Sequence, residues 1–288
     1  MNTSIGPVGK QYKPFTYTIE PEKIIEYAKA CNDENPYFIS GKTARGIIAH
    51  PMYGCVFSFE SLLDAITDSE LGINLLKLVR SGMDMEFIKP VYPAETITSV
   101  TQLALMEEKS SGVLYDFQVT STNQNGEIIM KGSFPIFERK KKPESAQGTK
   151  PAPEKKEVVP TKGTIIFSQK MFVSLDQPKR YGPPSLDTNP IHIDEEVAKM
   201  AGFKSVILQG SCSMAFCFKA LVDEKLNGDP TKVKRLKVKF ARPIFPLETL
   251  TTSGWLIDSK SDSHTYGLEI TNQDGVVVVS DGYAVVSS

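Results

Sequence analysis

In the second half of the chain the apolar positions change their spacing, and each spacing predicts an element. Around Met214, Ala215, Phe216, Phe218, Ala220, Leu221 and Val222 hardly any polar face remains, the pattern of a helix buried on most sides. Further on, Leu236, Val238 and Phe240 fall on one face and Lys237 and Lys239 on the other, the period of two of a half-buried strand. Ahead of the buried helix, Asp194 with Glu195 and Glu196 supplies an N-cap and an acidic first turn, and Gly202 a C-terminal stop, for a short helix. A short strand, a helical stretch ending near Asp-x-Asn-Pro, one nearly all-apolar helix and then a series of strands predict an α+β unit: a curved antiparallel sheet wrapped around one buried helix.

The first half repeats this order. Asp33-Glu34-Asn35-Pro36 matches Asp187-Thr188-Asn189-Pro190, and RGIIAHPMYGCVFSFESLLD from Arg45 matches KSVILQGSCSMAFCFKALVD from Lys204. FIKPVYPAET from Phe87 matches FARPIFPLET from Phe240 with five of ten residues identical. NQNGEIIM from Asn123 and NQDGVVVV from Asn272 each place a glycine turn before a strand. Two copies of one fold are therefore expected.

Between the copies the chain reads RKKKPESAQGTKPAPEKKEVVPTK, too poor in large apolar residues to offset the entropy of ordering it. The predicted organisation is an N-terminal domain over 1–138, a solvated tether over 139–163 and a C-terminal domain over 164–288. Composition agrees with this: 40% hydrophobic and 23% charged residues describe an ordinary globular protein, and 288 residues suffice for two modest domains. With 33 Lys and Arg against 34 Asp and Glu there is no bulk attraction to nucleic acid or anionic membrane, so an anionic ligand is met locally. No apolar run is long enough to span a bilayer, the opening MNTSIGPVGKQYKPF has no apolar signal core and VVSS is no peroxisomal tripeptide, so a cytoplasmic location is expected. Cys31, Cys55, Cys212 and Cys217 form no CxxC pair and are expected to be buried reduced thiols, with no metal site.

Three histidines carry the candidate chemistry. His192 lies five residues after Asp187 in Ser-Leu-Asp-Thr-Asn-Pro-Ile-His-Ile-Asp, a proline-containing segment that cannot continue as a regular helix. A carboxylate, an amide and an imidazole gathered on one turn can hold a water, one group withdrawing a proton and another returning it, as hydration or dehydration requires. The simpler alternative is a turn held by side-chain hydrogen bonds. Ile207-Leu208-Gln209-Gly210-Ser211 then leads into the buried helix, so the amides of Gly210 and Ser211 fall at a helix N-terminus, suited to a thioester enolate oxygen. His50 stands in the first copy where Gln209 stands in the second, beside Pro51 in place of Gly210, and the first Asp-x-Asn-Pro motif ends in Phe38 rather than His; a packing or hydrogen-bonding role is expected for it. His264 is expected in an exposed turn.

YGPPSLDTNPIHIDEEVAKMAGF, VILQGS and FARPIFPLET together resemble the MaoC-like R-specific enoyl-CoA hydratase family, also called hydratase 2, over nearly the whole chain outside the tether. The resemblance implies a tandem (double) hotdog in which the second half is catalytic and the degenerate first half accommodates the acyl chain. It implies that Asp187 and His192 activate water and handle the proton at the α carbon, that Asn189 orients them, and that the Gly210 N–H meets the thioester oxygen. The implied reaction is reversible syn hydration of a trans-2-enoyl-CoA to a (3R)-3-hydroxyacyl-CoA, with no cofactor and coenzyme A as part of the substrate. Ser211, Gln209, Lys234, Arg235, Lys237 and Arg242 are further substrate-binding candidates, the basic ones for the CoA phosphates. Alternatives are a branched, dicarboxylic or carrier-protein-linked substrate, or a noncatalytic acyl-CoA-binding protein. The expected assembly is a monomeric pseudo-dimer or a homodimer of double hotdogs. Three positions depart from the family pattern: Gln209 replaces a histidine, Leu186 replaces a small residue and is expected to narrow the site, and Pro183-Pro184 is expected to interrupt the helix exit after Tyr181.

Overall fold

The computed structural model describes residues 7–140 and 162–288, so most of the predicted tether lies outside the described residues. The first half runs β1 (Phe15–Thr18), α1 (Pro21–Ala30), α2 (Pro36–Ile39), α3 (Gly54–Phe57), α4 (Phe59–Ile66), β2 (Leu78–Arg80), β3 (Gly82–Phe87), β4 (Thr96–Lys109), β5 (Gly112–Asn123) and β6 (Ile128–Arg139). The second half runs β7 (Phe167–Phe172), α5 (Gln177–Ser185), α6 (Glu195–Met200), α7 (Gly210–Lys225), β8 (Val233–Phe240), β9 (Thr249–Ser259), β10 (Ser263–Thr271) and β11 (Val277–Ser287).

One antiparallel sheet has the order β1-β4-β5-β6-β3-β8-β11-β10-β9-β7, with β2 beside β6. Read outward from the central β3–β8 pair, both halves follow the same path. The register at that seam fixes the symmetry: Asp84 lies opposite Lys237, and the same offset of 153 residues carries Phe87 onto Phe240. A pseudo-twofold axis therefore passes between equivalent positions of the two copies. The hairpins repeat as well, with Asn123 and Asn272 each accepting two backbone N–H bonds across turns that end in Gly126 and Gly275, both at positive φ.

α7 is buried over most of its circumference and packs against β7, β8, β9 and β10, as its apolar run predicts. The corresponding run in the first half is not one helix. It starts as a 3-10 turn over Pro51–Tyr53 and breaks at Ser58, whose hydroxyl donates to the Gly54 carbonyl at 2.6 Å and competes with the helical ladder. α6 has the expected ends: Asp194 accepts from the N–H of Glu196 and Val197, and Gly202 closes it at φ 88°. Pro183 and Pro184 do not interrupt α5, which continues to Ser185; their fixed φ suits a helix, although each removes a donor that would have bonded a carbonyl one turn back. All four cysteines are free and buried, and burial pushes the Cys55 and Cys217 thiols up to about 12. No helix among the described residues is long and apolar enough to cross a membrane.

Candidate active site

The chain leaves α5 through Leu186, held in the left-handed region at φ 62°, and this reversal delivers Asp187 to the next turn. A leucine there costs about 1–2 kcal/mol of backbone strain. It is offset by packing: Leu186 leans on the core and does not border the cavity, so it does not narrow the site. Asn189 then caps a 3-10 turn over Pro190–His192, its Oδ1 accepting from the Ile191 N–H at 3.3 Å. The turn carries His192 inward to 7% exposure, with Nε2 3.8 Å from Asp187 Oδ2.

The tautomer of His192 follows from its other nitrogen. Nδ1 lies 2.7 Å from the Ile207 carbonyl, which can only accept, so Nδ1 carries the proton. Burial pushes the imidazole below its usual pKa, with the nearby Arg80 charge acting the same way, against the pull of Asp187 and of the Ile207 hydrogen bond. At neutral pH the ring is therefore uncharged and its Nε2 lone pair faces the Asp187 carboxylate across a gap that a small molecule such as water can bridge.

Gly210 is the first residue of α7, and its N–H and that of Ser211 have no backbone acceptor among the described residues. Gly210 borders the cavity beside Phe240, whose ring would lie 2.8 Å from a Cβ added there, so the position admits no larger side chain without displacing that ring. Gln209 and Ser211 stay behind this surface. Gln209 is fully buried and its Nε2 donates to the carbonyls of Pro178 (3.0 Å) and Asp187 (3.2 Å), fastening α5 and the reactive turn to the start of α7. Ser211 is buried beside the Tyr181 hydroxyl.

Asp187, Asn189, His192 and Gly210 border one cavity of about 440 Å³, with largely apolar walls from both halves. Of the basic residues expected near the substrate, Arg242 lines it. Lys234 lines a different cavity, and Arg235 makes a two-pronged pair with Asp84 at 2.8 and 2.6 Å. Lys237 faces Asp84 across the β3–β8 seam, because alternate residues of β8 turn away from α7. Two first-half arginines that the sequence did not single out, Arg80 and Arg139, border the cavity instead. They arrive through β2 and β6, and no local motif marks them. His264 also differs from expectation: it lies within β10, partly buried, with its Nδ1 2.9 Å from the Ser259 hydroxyl.

The pseudo-twofold generates a counterpart in the first half, a cavity of about 50 Å³ bordered by His50, Pro51, Phe87 and Val233. Phe38, fully buried where the second half has His192, packs its ring at a tilt against His50 with centroids 4.7 Å apart, and Phe218 packs against His50 at 4.9 Å. Pro51 offers no N–H where Gly210 does. His50 Nδ1 accepts from the Met52 N–H, so its Nε2 proton points to Asp33, 3.5 Å away.

Two wrapped helical segments, one continuous and one broken, sharing one continuous sheet define the double hotdog class of protein. A family model described as a MaoC like domain matches residues 156–276, and one described as a FAS1-like dehydratase domain region matches residues 7–132. The chain is 25% identical over 285 residues to the probable enoyl-CoA hydratase 2 of Dictyostelium discoideum, covering 97% of this chain and 95% of the relative. Its fold matches a MaoC-like dehydratase from Phytophthora capsici with a TM-score of 0.80 at 25% identity, covering 97% and 95% of the two chains. It also matches a Mycobacterium tuberculosis protein described as a double hotdog, with a TM-score of 0.67 at 11% identity over 98% and 96%. The second half thus carries a MaoC like domain and the first a FAS1-like dehydratase domain region, and the whole chain is similar to an enoyl-CoA hydratase 2.

Proposed function

We propose that the chain is an R-specific enoyl-CoA hydratase whose second half, residues 164–288, carries the chemistry while the first half, residues 1–138, supplies cavity wall for the acyl group. The observation that carries this reading is the neutral His192, its Nδ1–H tied to Ile207 and its Nε2 lone pair turned to Asp187, in one cavity with the N–H of Gly210. Water held between Asp187 and His192 gives a proton to Nε2 as its oxygen bonds to the β carbon of the enoyl thioester. The alkene electron pair moves toward the carbonyl, and the Gly210 N–H meets the charge developing on the thioester oxygen. The proton then returns from the same pair to the α carbon. Because hydroxyl and proton both come from one side of the bound chain, addition is syn, and the reverse sequence dehydrates a 3-hydroxyacyl thioester. Every step uses groups of the chain and substrate atoms.

Loss of enoyl-thioester absorbance with crotonyl-CoA and longer trans-2-enoyl-CoAs, followed by chiral analysis of the product, tests the assignment. The expected product is the (3R) alcohol, and Asp187→Asn or His192→Ala is expected to lower kcat at least a hundredfold with the circular dichroism spectrum retained. Rates unchanged in both variants would overturn the reading.

A further inference from the structure

Arg80 is out of place in a wall built for a hydrocarbon chain. The pseudo-twofold that carries Phe87 onto Phe240 carries Arg80 onto Val233, so the first-half cavity has a buried valine where the second-half cavity has a guanidinium. Arg80 is half-buried as a residue. It lies over the ring of Phe134 (5.6 Å to the centroid) and against the sulfur of Met83 (3.6 Å), both core residues, and it forms no salt bridge with a carboxylate among the described residues. Its charge reaches inward as well: it opposes the burial that raises the Cys55 thiol and adds to the burial that lowers His192. Arg139 and Arg242, the other arginines of this cavity, are exposed.

A charge partly withdrawn from water and set against apolar side chains is costly unless an opposite charge arrives. The exposed Arg139 and Arg242 suit the CoA phosphates, whereas Arg80 is half-buried against Phe134 and Met83, the least solvated setting of the three. We propose that Arg80 receives a carboxylate at the far end of the substrate's acyl chain, so that the site prefers ω-carboxy-2-enoyl thioesters to methyl-ended ones. The fork of a guanidinium matches a carboxylate with two parallel hydrogen bonds, and a fixed fork also selects chain length. The proposal rests on the hydratase reading only for its kinetic readout.

The experiment compares kcat/KM for trans-2-enoyl-CoAs of six, eight and ten carbons, each with a methyl or a carboxylate end, in the natural chain and in Arg80→Met. The expected preference for the carboxylate is at least tenfold at one chain length. It is expected to fall to about one in Arg80→Met, to return in part in Arg80→Lys, and to persist with N-acetylcysteamine thioesters, which have no phosphates. A preference at or below one at every length overturns the proposal. So does an Arg80→Met variant that loses both series of CoA esters equally and none of the N-acetylcysteamine series, since Arg80 would then serve a phosphate. If the natural chain hydrates nothing, the hydratase reading fails by itself; calorimetric Kd values for suberoyl-CoA against octanoyl-CoA in the natural and Arg80→Met chains still decide the role of Arg80.

Discussion

Each half of the molecule sets an aspartate of Asp-x-Asn-Pro against an imidazole, and the two rings are wired in opposite senses. His50 receives the Met52 N–H on Nδ1, so its remaining proton points at Asp33 and the pair is closed on itself. His192 gives its Nδ1 proton to Ile207, which leaves a lone pair pointing at Asp187. The surroundings follow the same division. Asp33 is 1% exposed; burial pushes its carboxyl upward, but His50, the Lys219 ammonium and the Asn35 N–H outweigh that and hold it below the usual carboxylate range. Asp187 borders a cavity about nine times larger than the one beside His50. An Asp–His pair is thus a structural clamp or a proton-transfer pair according to which ring nitrogen the backbone claims.

The sharpest way to break this comparison is to make the second half imitate the first. His192→Phe copies Phe38 and is expected to lower kcat on an enoyl-CoA by about 10²–10⁴-fold; a loss under threefold would remove His192 from the chemistry. Gly210→Pro copies Pro51 and deletes one N–H, with an expected loss of about 10²–10³-fold in kcat. The backbone tolerates it: Gln209 at φ −61°, ψ 136° matches His50 at φ −53°, ψ 133°, which already precedes a proline. Gly210→Ala keeps the N–H while crowding Phe240 in the same way, and separates the two effects. In the first half, Asp33→Asn is expected to leave kcat unchanged and to lower stability by about 1–3 kcal/mol in urea titration, the opposite division from Asp187→Asn.

The smallest effect is in pH. His192 titrates below 6.5 because burial disfavours its charged form, and protonation fills the lone pair the reaction needs. Activity is therefore lost as pH falls through that lowered value, and kcat/KM at pH 6.5 should exceed half its plateau. Stability has the same sign: the unfolded chain takes up the proton at the higher pKa, so this contribution is full above about 6.5 and declines on acidification. A limb with its midpoint above 6.5 would contradict the assigned tautomer and burial.

Much of this was legible because it is local. The repeat, the apolar run of α7, the capped α6 and the gathering of Asp187, Asn189 and His192 all depend on residues within a few turns of one another. What stayed hidden depends on pairing across long separations. Arg80 and Arg139 reach the cavity through strands of the other half, far from Asp187 in sequence, whereas Lys237 and Arg235, adjacent to a recognisable motif, turn to the other side of β8. The break at Ser58 escaped because a serine in an apolar run reads as tolerated until its hydroxyl is seen on a helix carbonyl. Gln209 looked like an edge of the site because of where it falls in the motif, yet it serves as a buried fastener.

The β3–β8 seam has one more consequence. Were the two copies separate identical chains, every substitution would appear in both cavities at once, and Pro51 could not coexist with Gly210. Joined in one polypeptide, the copies are held at an effective concentration that dilution cannot lower, and each is inherited independently. One cavity was free to fill with aromatic rings and become scaffold, and Arg80 could enter the other without a twin.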